Sequence, residues 1–142
     1  MRTTNQKGFT LIESLVVLTI WLMILSLSVP LINSLYHKKT EEFFFNTLQY
    51  DILYVQSQAI GSNDYVRIIL EKQSYILVDS ANQETIRKLP KGWSLDRRTL
   101  DTISFNSNGA IRKAGTIQIQ TNRTKYKIVF PLGKGRGYIV KQ

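Results

Sequence analysis

Residues Phe9 to Val29 form an apolar run with one formal charge inside it, Glu13, and Pro30 closes it. A helix over those 21 residues spans roughly 30 Å, one hydrocarbon core. Such a run is apolar all round, so it needs lipid or other helices about it rather than a place in a small soluble core. The residues before it include Arg2 and Lys7 and no acid. That asymmetry predicts a cytoplasmic N-terminus and an exported remainder. A carboxylate at the centre of a membrane helix costs about 2.5–3.5 kcal/mol, and less near its end. A chain that carries Glu13 at that cost is expected to use it.

Three fates of the segment compete. Ser26-Leu27-Ser28 would serve as a small-x-small signal-peptide cleavage site, but the acid and the length of the run are unusual for a signal peptide. A plain membrane anchor accounts for the length and leaves Glu13 unexplained. The third fate is a cut before the apolar run, so that the run survives as an N-terminal helix.

Lys7-Gly8-Phe9, a glutamate four residues beyond Phe9 and some twenty apolar positions together resemble the class III leader of type IV pilins and pseudopilins. The resemblance implies cleavage by prepilin peptidase between Gly8 and Phe9 and N-methylation of the new Phe9 amine. It makes Glu13 the fifth mature residue and puts Pro30 where the family often carries a helix-bending proline. Cleavage creates a positive amine at the tip of an apolar helix. A Glu13 carboxylate on a neighbouring subunit can pair with that amine and offset the desolvation of both charges. Such a pair forms only in one axial register.

Beyond Pro30, Ile32, Leu35, Phe44, Leu48, Ile52, Val55 and Ala59 recur mostly every three or four residues, with charged and polar residues between them. This is the apolar face of a helix, and Gly61 with the turn residues after it ends the pattern. The sequence therefore predicts one long helix from Phe9 to about Ile60, kinked at Pro30, with a membrane-spanning first half and an amphipathic second half. Strands are expected over Tyr65–Glu71 and Ser74–Asp79 (a hairpin through Lys72-Gln73), then over Thr85–Leu89, Thr102–Phe105, Gly115–Thr121, Lys125–Phe130 and Tyr138–Val140. Asn82-Gln83-Glu84 and Leu95–Leu100 read as loops. The fold class is α+β, a helix packed on a small antiparallel sheet. The expected divisions are 1–8 leader, 9–30 membrane and filament-core helix, 31–61 amphipathic half and 62–142 β domain.

Ser104-Phe105-Asn106 with Gly109, the following Gly-Thr-Ile strand and the Gly-Arg-Gly ending resemble the globular domain of H-type minor pseudopilins. With no cysteine and a net charge of +9, the chain is most similar to the D-type minor pilins of Gram-positive competence pili. A type II secretion pseudopilin is the alternative. The resemblance implies a structural subunit for uptake of external DNA. Its implied partners are prepilin peptidase, other major and minor pilins, and a membrane assembly platform with its ATPase. The implied location is the plasma membrane, then the cell surface.

Enzyme chemistry is not expected. Gly133-Lys134-Gly135-Arg136-Gly137 lacks the Walker spacing and precedes a strand rather than a helix. His37 is the only histidine, no cysteine exists to bind zinc, and no cofactor is implied. The remaining signal is charge. No acid follows Asp101, whereas Arg123, Lys125, Lys127, Lys134 and Arg136 do, with Tyr126 interleaved. Cations and aromatics in that pattern suit weak, sequence-independent DNA contact, and a membrane-anchored DNA-binding module is the alternative reading.

Overall fold

Forty-nine consecutive residues, Leu11–Ala59, form one helix, α1. The computed structural model describes residues 8, 10–61 and 65–142, with the side chains of residues 27–33 left aside. The chain divides into two parts, Met1–Lys39 and Thr40–Gln142.

In the first part, α1 starts where Thr10 caps it. The Glu13 N–H donates to Thr10 Oγ1 at 3.3 Å, and the Ser14 N–H donates to the Thr10 carbonyl at 3.1 Å. Every described side chain from Leu11 to Ser26 is exposed, as expected of a segment with no core of its own. Among the described residues no helix is long and apolar enough to cross a membrane. The expected span includes Phe9, which lies outside the described residues, and residues 27–29, whose side chains do. Pro30 lies within the helical range of α1. The expected kink concerns the region whose side chains are left aside.

The second part is built on the C-terminal portion of α1. Phe44, Leu48, Val55 and Ala59 are buried on one stripe at helical spacing. Eight strands follow: β1 Arg67–Leu70, β2 Ser74–Val78, β3 Glu84–Lys88, β4 Ser94–Asp96, β5 Thr102–Ser104, β6 Gly115–Gln120, β7 Lys125–Phe130 and β8 Tyr138–Lys141. They form two four-stranded sheets rather than the single small sheet expected: β3-β2-β1-β5 and β4-β6-β7-β8. All named pairings are antiparallel. The fourth strand, Ser94–Asp96, overlaps the stretch Leu95–Leu100 read as a loop. It has one buried apolar residue, Leu95, and too few residues to show alternation. Pairing of Leu95 with Ile119 makes it a strand.

Alternation gives both sheets an inner and an outer face. Ile68, Leu70, Tyr75, Leu77 and Ile103 supply the inner face of the first sheet, and Leu95, Ile117, Ile119, Ile128 and Phe130 that of the second; all join one core with the α1 stripe. Burial of each such side chain contributes about 1.5–3 kcal/mol. Two carboxylates of α1 tie it to the sheets. Tyr75 Oη donates to Asp51 Oδ2 at 2.7 Å, with Arg87 Nε 3.4 Å from the same oxygen. Tyr126 Oη donates to Glu41 Oε2 at 2.8 Å, and Thr121 Oγ1 donates to Glu41 Oε1 at 2.9 Å.

Candidate functional site

Two regions hold the residues singled out from sequence. At the N-terminus, Gly8 is exposed, outside any regular element, and a Cβ there would meet nothing within 4 Å. Among the described residues, no steric need accounts for the glycine. Phe9 lies outside the described residues. Glu13 is exposed in the first turn of α1, where the helix dipole favours a negative charge. Thr10 was not singled out from sequence, although Thr10-Leu11-Ile12-Glu13 has the spacing of a capping box. That spacing sets the start of the helix and so the position of Glu13 on its first turn.

The second region is the basic end of the chain, and strand register sorts its charges. Tyr126, Ile128 and Phe130 face the core side of β7, so Lys125, Lys127 and Val129 face outward. Cross-strand partners share a face, which adds Gln120 opposite Lys125, Gln118 opposite Lys127, Val140 opposite Lys127 and Tyr138 opposite Val129. Arg98 donates through Nη2 to Gln118 Oε1 and extends this outer row.

Tyr126 is not part of that row. Its ring centroid lies 4.6 Å from that of Phe45, and its hydroxyl is held by Glu41. Burial and the neighbouring Glu41 push the phenol up to about 12. The aromatic on the same face as Lys125 and Lys127 is Tyr138. Lys141 pairs with Tyr126 and so takes the opposite face. Arg136 lines a groove with residues of α1, away from Lys127. Arg123 sits in the exposed turn between β6 and β7. Of the expected patch, Lys125 and Lys127 share the outer face of β7 and Tyr126 faces the core, while Arg123 sits in a turn and Lys134 and Arg136 sit in the loop before β8, a distribution that a linear count of cations could not reveal.

The glycine-rich loop is shaped by packing. Gln56 on α1 donates to the Gly109 carbonyl at 2.6 Å and to the Gly135 carbonyl at 2.9 Å. A Cβ on Gly135 would come within 2.6 Å of the Gly109 oxygen, and one on Gly137 within 2.8 Å of the Phe130 ring. Close approach of two loops over Gln56 explains these two glycines. Among the described residues no group of histidine and acid side chains could hold a metal.

Residues 3–29 match the prokaryotic N-terminal methylation motif, a range that includes Gly8, Phe9 and Glu13. Competence protein ComGD of Bacillus subtilis is 30% identical over 139 residues, covering 96% of this chain and 94% of that protein. The chain belongs to the ComGD family of competence pilins. Similarity to ComGD extends through both sheets, well beyond the N-terminal motif, and the family is one of structural proteins rather than enzymes. No solved structure matches this ComGD-family chain.

Proposed function

We propose that the chain is a minor pilin, a structural subunit of a type IV-like competence pilus that serves uptake of external DNA. The observation that carries this reading is a methylation motif at residues 3–29 on a chain similar to ComGD over 96% of its length. Similarity to a competence protein over nearly the whole chain favours this reading over a type II secretion pseudopilin.

In this reading the precursor inserts with its N-terminus in the cytoplasm. Prepilin peptidase hydrolyses the Gly8–Phe9 bond, and the Phe9 amine is methylated. The exposure of every described side chain from Leu11 to Ser26 supports a segment that finds its apolar surroundings outside its own chain, first in the plasma membrane and then among other pilin helices. Glu13 on the first turn pairs with the amine of a neighbouring subunit and sets the register. Pro30 serves as the helix-bending proline that the family resemblance implies. The assembly platform and its ATPase supply the work of extraction. N-terminal sequencing of the protein from its own cell tests the reading. A methylated Phe9 is expected; Met1 would identify a plain anchor, and a terminus near Val29 a signal peptide.

A second reading is direct DNA contact. It is favoured by the common outward face of Lys125, Lys127 and Tyr138, with Arg98 beside Gln118 and Arg123 in the adjoining turn. Arg136 lines the groove beside α1 and Tyr126 faces the core, so neither joins them there; Lys134 is exposed in the loop before β8.

A further inference from the structure

The strand β8 is an edge of its sheet, and its backbone parity is legible. The Gln142 N–H donates to the Lys125 carbonyl at 2.8 Å. In an antiparallel pair, hydrogen-bonded and non-hydrogen-bonded positions alternate. Tyr138, Val140 and Gln142 therefore turn their backbone groups toward β7, and Ile139 and Lys141 turn theirs away from it. The polar backbone of those two residues forms an open edge. The strand is exposed throughout and, apart from Lys141, carries no charge of the kind that protects natural edges. The other fully exposed edge, β3, has Glu84, Arg87 and Lys88 in its five residues.

Beside this edge runs a groove of about 360 Å³, lined on one side by Phe45, Ile52 and Leu53 of α1 and on the other by Ile139, Phe130 and Arg136. Among the described residues that line it, Arg136 carries the one formal charge. Among the described residues no carboxylate pairs with Arg136. An open edge, an apolar groove next to it and a single waiting cation are the three elements of strand-addition recognition: backbone bonds for affinity, a pocket and a charge for selectivity.

We propose that β8 is the docking edge for an extended segment of another pilin, one with an apolar side chain opposite Ile139 and an acidic residue within reach of Arg136. The residue opposite Ile139 on the added strand shares its face, so its side chain enters the groove. Charge selects a partner other than a second copy of this chain. The chain carries +9 overall and no acid after Asp101, and two copies joined antiparallel along β8 about Ile139 would set Lys141 of each beside Arg136 of the other, cation next to cation. The occupant rests on the pilin-subunit reading; the edge and groove do not.

The chain has no cysteine, so Val140→Cys gives one labelling position beside the open edge. The full-length variant is labelled in intact cells with a benzophenone maleimide, irradiated, and the product mapped by mass spectrometry. The expected product joins this chain to an acid-bearing extended segment of a different, leader-cleaved pilin. Ile139→Asp and Arg136→Glu should each lower its yield about tenfold, the equivalent of about 1.4 kcal/mol. Arg136 is exposed, so Arg136→Glu tests the charge without threatening the core, and an acid-to-arginine change in the mapped segment should restore its yield. Cross-linking only to a second copy, only to lipid, or to nothing, in a chain that is cleaved and incorporated normally, would overturn the docking proposal. Failure of the unlabelled chain to be cleaved at Gly8 would instead overturn the subunit reading and the pilin occupant with it.

Discussion

Tyr75 donates a hydrogen bond from its hydroxyl to Asp51 across 2.7 Å, and both residues are buried. The acid lies on the apolar stripe of α1 between Leu48 and Val55, so the helix carries a charge where a packed face would have an aliphatic residue. The pairing tolerates that charge because Tyr75 and Arg87 both address the same oxygen. Asp51→Ala leaves the Tyr75 hydroxyl buried without its acceptor and should lower unfolding free energy by about 2–3 kcal/mol. Tyr75→Phe, which leaves Arg87 on Asp51, should cost less, about 1–2 kcal/mol. Denaturant unfolding of the full chain in detergent, followed by tryptophan fluorescence, measures both; equal stability of Asp51→Ala and the parent would contradict the pairing.

Alkali should loosen the same helix. Tyr126 ionises near 10 when unfolded and at about 12 in the fold, held up by burial first and then by Glu41. Its folded value is raised, so its contribution to stability is complete below pH 10 and disappears as pH rises through 12. Burial and Asp51 raise Tyr75 in the same direction. Stability of the parent minus that of Tyr126→Phe should stay flat up to about pH 10 and fall above it. A difference that grows with pH would refute the assignment.

Gly135→Ala should destabilise the domain by about 1–3 kcal/mol through forced contact with the Gly109 carbonyl. Gly133→Ala should cost about 1–2 kcal/mol, because Gly133 has φ of 72° with no neighbour for a new Cβ. Thermal unfolding of the two variants gives the order.

Glu13→Leu should insert into the membrane and be cleaved like the parent, yet fail to enter the filament. Cell fractionation reports insertion and sheared-filament blots report incorporation. Filament yields equal to the parent's would remove the registry role of Glu13.

Lys125→Ala with Lys127→Ala should weaken binding of the full-length, detergent-solubilised chain to duplex DNA and lower the slope of log affinity against log salt by about 1–2. Lys141→Ala, on the opposite face, should leave the slope unchanged. No binding at low salt by the parent would end the DNA reading.

Much of the fold was legible in local pattern. The alternation of Gly115–Gln120 and Lys125–Phe130 made both strands evident, and Gly61 has the positive φ expected of a helix-ending glycine. The place of β4 in the second sheet was not legible, since it depends on Leu95 finding Ile119 across a long separation. The basic region failed as one surface for a related reason. Adjacent residues on a strand face opposite ways, so Lys125-Tyr126-Lys127 reads as an interleaved cluster and folds as two cations outside and a tyrosine inside. Sequence also gave no sign that Tyr126 would be occupied by Glu41, whose position is set by the helix. The N-terminal residues are different: Gly8, Phe9 and Glu13 lie within a matched linear motif, which is read without a folded partner.

Glu41, Asp51 and Gln56 attach α1 at three separate heights, to the second sheet, to the first sheet and to two loops. A pull on α1 along its axis would strain these attachments in shear and in parallel. The load would be shared rather than passed from one contact to the next, so the domain could withstand traction on its helix without peeling open from one end.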